Sequence, residues 1–220
     1  LCLYPYCLQG GVQTMTNNSV PLHPFLIRIW HWANAFLVLV LVVTGAQLRF
    51  TDLVIIPDYG LVVALHKYAG YALTVFFLFW IVTYVIVGGF TTHYIISLKD
   101  IRSIPGQLSY YIHGLFQGST NPFVPSPESR FNALQKLAYS FIMIVAMPII
   151  IITGIIFGNI MDFYGIIRST GGIRVLDAIH VIVGYVFLIY LIVHLYMATL
   201  GRTPFSHTKA MFTGHEEEFK

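Results

Sequence analysis

Charge is what this 220-residue chain has least of. Asp, Glu, Lys and Arg together make up 10% of it, whereas a soluble domain typically carries about a quarter. That shortage excludes a disordered chain and an ordinary cytosolic enzyme. With a net charge of +3 and no basic stripe, nothing is laid out to track phosphates, so nucleic acid is not an expected partner. Cysteine is nearly absent: Cys2 and Cys7 are the only two, too few for a zinc or iron–sulfur centre. No charged, apolar and small-residue segments follow one another as in a secretory signal, so none is expected. Leu1–Thr14, with Met15 close behind, is expected to be a tail or a misplaced start, the first part of an N-terminal tail over residues 1–24.

What is abundant is apolar. Hydrophobic residues reach 57%, and Phe (17) and Tyr (14) far outnumber Trp (3). Mean hydropathy is +0.76. Four stretches approach the roughly 20 apolar residues that a membrane helix needs: Phe25–Leu48, Leu61–Gly89, Leu137–Ile160 and Leu176–Leu200. The expected fold is therefore an all-α membrane protein, a four-helix transmembrane bundle over residues 25–200 followed by a cytoplasmic tail over 201–220. Pro148 is expected to kink the third span. An even number of spans puts both termini on one side. That side collects Arg28, Lys99, Arg102, Arg130, Lys136, Arg202, Lys209 and Lys220, against Arg49, Lys67, Arg168 and Arg174 on the other. The excess predicts cytoplasmic termini in a bacterial or archaeal inner membrane. The long 90–131 connection then lies in the cytoplasm, and its Asp100–Leu115 stretch suits an amphipathic helix at the lipid interface. Glu216–Glu218 reads as a solvated tail.

The chemistry lies in histidine. Four of the nine histidines, His31, His66, His180 and His194, fall inside spans, where an ionisable group is costly and points to function. A single intramembrane histidine is as often a buried ring bonded to a carbonyl. Four in register are another matter. His180 and His194 are 14 residues apart, which returns to the same helix face after a rise of roughly 21 Å. Alternating helix direction sets His31 level with His194 and His66 level with His180, giving one pair near each membrane face. His66 and His180 each open an HxxxGY pattern, with Gly70 and Gly184 one turn on. Gly45 lies 14 residues after His31, at the depth of the other pair. These glycines suit either a flat macrocycle against the helix or close helix packing. Helix three repeats Thr44-Gly45 as Thr153-Gly154 without adding a histidine.

A bare metal ion would need more ligands, and no Asp, Glu or Cys lies at these depths. A proton pump would ordinarily show intramembrane carboxylates. Two imidazoles complete the coordination of a haem iron, whose porphyrin supplies the other four nitrogens. Two bis-His haems b, with His31, His66, His180 and His194 as iron ligands, are the economical reading. The absence of CxxCH excludes covalent attachment. Met143, Met147 and Met197 read as core packing, and His93, His113, His207 and His215 as solvated surface.

Arg28-Ile29-Trp30-His31-Trp32, the Thr44-Gly45 helix end, the two HxxxG helix starts, Asn132-Ala133-Leu134-Gln135-Lys136 and His194-Leu195-Tyr196-Met197-Ala198 together resemble a known family. It is that of the di-haem cytochrome b membrane subunits of respiratory formate dehydrogenases, nickel–iron hydrogenases and thiosulfate reductases, over roughly Pro24–Gly214. The resemblance implies a subunit passing electrons between an iron–sulfur subunit, with its catalytic oxidoreductase subunit, and membrane quinone (menaquinone or ubiquinone). It would be a quinone-reacting component rather than an independent enzyme. It makes His66 and His180 ligands of the outer haem and His31 and His194 ligands of the inner one. It also places quinone beside Asn132 and Gln135, although Leu134 replaces a glycine of the formate dehydrogenase pattern. Asn132 is equally suited to capping helix three. Arg28 and Lys136 could meet haem propionates or anchor the interface, and Arg28 is expected to act electrostatically on the inner haem. Arg49–Gly60 and Met161–Val175 are the outer loops open to an iron–sulfur partner. The competing readings are a metal-ion or proton transporter, a non-quinone transmembrane haem b carrier, and a passive anchor whose histidines merely pack.

Overall fold

The structure, a computed structural model, describes residues 19–21, 25–86, 90, 94–123, 131–200, 203 and 205–217. The N-terminal stretch around Met15, both cysteines, His93, Arg130 and Arg202 lie outside these residues. Strand β1 (Ser19–Pro21) is followed by α1 (Phe25–Arg49), α2 (Tyr59–Ile81), α3 (Leu98–Ser109), α4 (Ala133–Gly158), α5 (Tyr164–Ser169), α6 (Ile173–Ala198), α7 (Ser206–Thr213) and β2 (His215–Glu217). Helices α1, α2 with its continuation to Tyr84, α4 and α6 are long and apolar enough to cross a membrane. Among the described residues the fold is thus all-α but for one short strand pair, with four candidate spans. Their side chains face outward to an extent no soluble core would allow: Phe36, Val75, Ile182 and Ile189 are all more than 60% exposed. Lipid is the solvent for such faces.

Polar signals decide where the helices start, and the apolar runs only fill them. Asp58 Oδ1 accepts the Leu61 N–H at 3.1 Å, so α2 starts at Tyr59, ahead of its apolar run. Gly171 and Gly172, with φ of 98° and 87°, turn the chain out of α5, and α6 starts at Ile173 through a first turn carrying Arg174. In α4 the expected irregularity at Pro148 takes the form of a π-helical turn over Phe141–Ala146 just upstream. Proline has no N–H for the preceding turn and its ring crowds the carbonyl there, so a widened turn relieves the contact.

The described residues form two compact units. One, from Ile29–Phe79 and Phe141–Tyr196, holds most of the four spans. Within it Trp30 Nε1 donates to the Phe76 carbonyl at 2.9 Å, tying α1 to α2. Buried Gln47 staples the loop after α1 through Nε2 to the Ile56 carbonyl (2.6 Å) and Oε1 from the Ile55 and Ile56 N–H groups (3.2 and 2.9 Å). Lys67 Nζ donates to the Gly158 carbonyl at 2.9 Å and Asn159 Nδ2 to Tyr71 Oη at 3.1 Å, closing the same end.

The other unit gathers Leu1–Arg28, Trp80–Ser140 and Met197–Lys220. Its β1 and β2 pair antiparallel, Val20 opposite Glu216. The stretch expected as a tail over residues 201–220 therefore includes helix α7, and Glu216 and Glu217 of the run read as solvated lie in a paired strand, because Gly214 (φ 88°) ends α7 and reverses the chain. Trp80 Nε1 donates to Tyr94 Oη at 2.9 Å, and Ser140 Oγ donates to the Tyr94 carbonyl. Burial, with Tyr84 adding to it, pushes the Tyr94 phenol upward, so it stays a neutral hydroxyl. The amphipathic segment expected over Asp100–Leu115 is α3 with its continuation to Gln117. Ser97 and Asp100 form a capping box at its start.

Asp100 also accepts from buried Lys136 Nζ at 2.9 Å. Burial works to raise this carboxyl, but the Ser97 N–H, Lys136 and the Ser97 hydroxyl outweigh it and hold it down to about 2. A depressed carboxyl contributes stability that is full above its ordinary value near 3.8 and is lost as pH falls toward about 2. Thermal unfolding in detergent should therefore show acid destabilisation across that window, and Asp100→Asn should be less stable at neutral pH while losing that part of the acid dependence.

Candidate functional site: two imidazole pairs

The four span histidines meet in twos. The His31 and His194 ring centroids are 6.1 Å apart with planes at 50°; those of His66 and His180 are 6.3 Å apart at 70°. The pairing expected from helix direction is the one observed. Two imidazoles bound to opposite sides of one metal would place their centroids about 6.3 Å apart, from two bonds of about 2 Å and the half-width of each ring. Imidazoles that merely pack have no reason to hold that spacing twice. Among the described residues no three His, Cys, Asp or Glu side chains converge, so each pair offers a metal two ligands and leaves the remainder to another molecule. At Gly70 and Gly184, one turn beyond His66 and His180, an added Cβ would meet no heavy atom within 4 Å. The chain leaves room for a flat macrocycle beside each ring, and the residues fit a haem.

Gly45 does something more direct than the sequence suggested. A Cβ there would lie 3.2 Å from His66 Cε1, and one at Gly154 would lie 3.4 Å from His180 Cε1. Each glycine thus lets an imidazole ring sit against the backbone of the neighbouring helix. The threonine beside each glycine completes the contact: Thr44 Oγ1 is 2.9 Å from His66 Nδ1, and Thr153 Oγ1 is 2.8 Å from His180 Nδ1. Both hydroxyls are buried, Thr44 at 2% exposure. These threonines and Gly154 were not singled out as site residues from the sequence. The repeated Thr-Gly was the available signal, but only the fold aligns each copy with a histidine of the following span. On the other pair, His194 stacks on Tyr190 at 5.7 Å and His31 meets Trp32 edge-on at 5.2 Å. Met143 and Met147 are buried in the core.

Asn132 and Gln135 form a reciprocal capping box on α4. Asn132 Oδ1 accepts the Gln135 N–H at 2.9 Å, and Gln135 Oε1 accepts the Asn132 N–H at 3.1 Å. Asn132 Nδ2 donates to Tyr111 Oη at 3.0 Å, and Asn132 is 3% exposed. Its capping role is structural fact; the box leaves Gln135 Nε2 unused. Lys136 is engaged by Asp100, which accounts for its charge without a propionate. Arg28 stands one turn before His31 on α1, and its Nη1 donates to the Phe212 carbonyl.

These features define a class: a membrane protein with four candidate spans and two imidazole pairs at 6.1 and 6.3 Å. Residues 22–214 match the family model described as prokaryotic cytochrome b561, and the chain belongs to that family. It is similar to the Escherichia coli (strain K12) protein named "Putative cytochrome YdhU", 29% identical over 206 residues that cover 90% of this chain and 75% of the relative. The protein is accordingly a membrane cytochrome of the b type, a haem-binding component of electron transport.

Because Asn132 caps α4, Asn132→Ala should cost about 1 kcal/mol and Asn132→Ser much less. Thermal unfolding of the two variants in detergent checks this.

Proposed function

We propose that the protein is a di-haem membrane-anchor subunit that carries electrons between an iron–sulfur partner and membrane quinone. The observation that carries this reading is the pair of imidazole spacings, 6.1 and 6.3 Å. His31 with His194, and His66 with His180, would hold two haems b, which when bound would supply one-electron exchange. Helix α6 contributes one ligand to each set, 14 residues and roughly 21 Å apart along its axis. That spacing leads electrons from one membrane face toward the other. Both termini lie in the cytoplasm of a bacterial or archaeal cell on this reading, by the excess of Lys and Arg on that side.

The outer loops take the partner, an iron–sulfur subunit of a formate dehydrogenase, hydrogenase or thiosulfate reductase type of oxidoreductase. Apolar side chains exposed there, among them Val54 at 66% and Met161 at 87%, support a covered surface. Arg28, one turn from His31, adds a fixed positive charge that favours the reduced state at the inner pair. Gln135 and Asn132 orient quinone. The Gln135 Nε2 group suits this role, since an amide donor matches a quinone carbonyl. The protein exchanges electrons and reacts with quinone; substrate chemistry belongs to the partner.

Haem content and the dithionite-reduced spectrum of the purified protein test the reading. The wild type should carry two b-type haems, and His66→Ala or His180→Ala should lose one and keep the other. A colourless wild type, or a His66→Ala variant with both haems intact, would make the histidines packing residues.

The quinone assignment has its own test in Gln135→Glu. The Oε1 acceptor that caps Asn132 is kept while the amide donor is lost. Quinone turnover should fall by tenfold or more with both haems retained; unchanged turnover would place the quinone elsewhere.

A further inference from the structure

The reading above leaves open which nitrogen of each ring meets iron and what holds the ring in that state. At the His66 and His180 pair the hydrogen bonds answer both. Thr44 Oγ1 lies 2.6 Å from the Val40 carbonyl, and Thr153 Oγ1 lies 2.7 Å from the Ile149 carbonyl. A carbonyl only accepts, and two oxygens this close need a proton between them, so each hydroxyl proton is committed to its own helix. Oγ1 can then serve His66 Nδ1 (2.9 Å) or His180 Nδ1 (2.8 Å) only as acceptor. Both rings must carry their proton on Nδ1, which leaves the Nε2 lone pair as the metal-binding atom. The neighbouring glycine lets the ring seat its adjacent Cε1 edge at 3.2 Å (Gly45) or 3.4 Å (Gly154) from where a Cβ would stand.

The device occurs twice with the same grammar. Thr44-Gly45 on α1 receives the histidine 22 residues later on α2, and Thr153-Gly154 on α4 receives the one 27 residues later on α6. We propose, resting on the di-haem reading, that Thr44 and Thr153 are positioning residues for the His66/His180 haem: each fixes its ligand's tautomer and ring plane and lowers that haem's reduction potential. The direction follows from the bond. An N–H that donates gives its ring more negative character, a more negative ligand stabilises ferric over ferrous iron, and the hydroxyl acceptor supplies this without burying a charge.

The test uses the full-length chain purified in detergent, with the haem missing from His66→Ala marking the component to follow. Thr44→Val and Thr153→Val are nearly isosteric and remove the hydroxyl acceptor, with the Leu41 carbonyl still beside His66 in the first; Thr44→Ser and Thr153→Ser keep it. Redox titration of each valine variant should shift the marked component upward, favouring its reduced form by about threefold to tenfold, or about 28–59 mV for one electron. The ferric EPR g-values of that component, which report the relative ring planes, should move with it, while the other haem keeps both properties. Serine should restore the wild-type values. Loss of the marked haem in the valine variants but not the serine variants would equally support the hydroxyl as the positioning group. Unchanged potential and g-values in both valine variants, equal shifts of both haems, or haem loss with serine as with valine would overturn the proposal and leave the di-haem reading intact. A wild-type protein without haem would instead overturn that reading.

Discussion

An imidazole inside a membrane has two ring nitrogens to satisfy and no water to satisfy them with. The rest of the molecule is arranged around that requirement. At His66 and His180 one nitrogen is met by a threonine whose own proton is donated to its helix, and the two rings stand 6.3 Å apart. Such an arrangement needs helices whose backbones approach closely, which explains glycine at 45 and 154. It also needs long, rigid carriers, which explains spans of 25 or 26 residues where roughly 20 would cross the bilayer.

The duplication gives this centre an internal two-part symmetry. In each half, one span carries Thr-Gly near its end and the next span carries a histidine about two turns in, followed by Gly and Tyr one turn later. One histidine of the His66/His180 pair therefore comes from each half. The other pair draws His31 and His194 from the first and last spans, with aromatic neighbours Trp32 and Tyr190. The two histidine pairs thus sit in different surroundings, threonine hydroxyls at one and aromatic rings at the other.

Away from the histidines, polar side chains mostly serve the backbone. Asp58, Ser97 and Asn132 start helices, Gln47 holds a loop, and Lys136 is neutralised by Asp100. Few charges are available, and among the described residues Lys136 and Asp100 form an ion pair. In the Asn132–Gln135 segment the capping box takes up both side-chain carbonyl oxygens and leaves the Gln135 amide nitrogen outside it.

The four spans, the matching of His31 with His194 and of His66 with His180, and the family resemblance were legible in the chain itself. Hydropathy and helical periodicity are local properties, and alternating helix direction follows from membrane crossing. Helices α2, α4 and α6 start ahead of their apolar runs, because Asp58 and Asn132 cap the first two and the Gly171-Gly172 turn precedes the third. Tertiary structure alone decided the rest. Thr44 meets His66 across 22 residues, Thr153 meets His180 across 27, and Lys136 meets Asp100 across 36. Contacts between helices depend on the rotation of each helix about its own axis. A sequence states what a helix carries on every face; only packing selects which face touches which neighbour, and with it which nitrogen of a histidine meets a threonine.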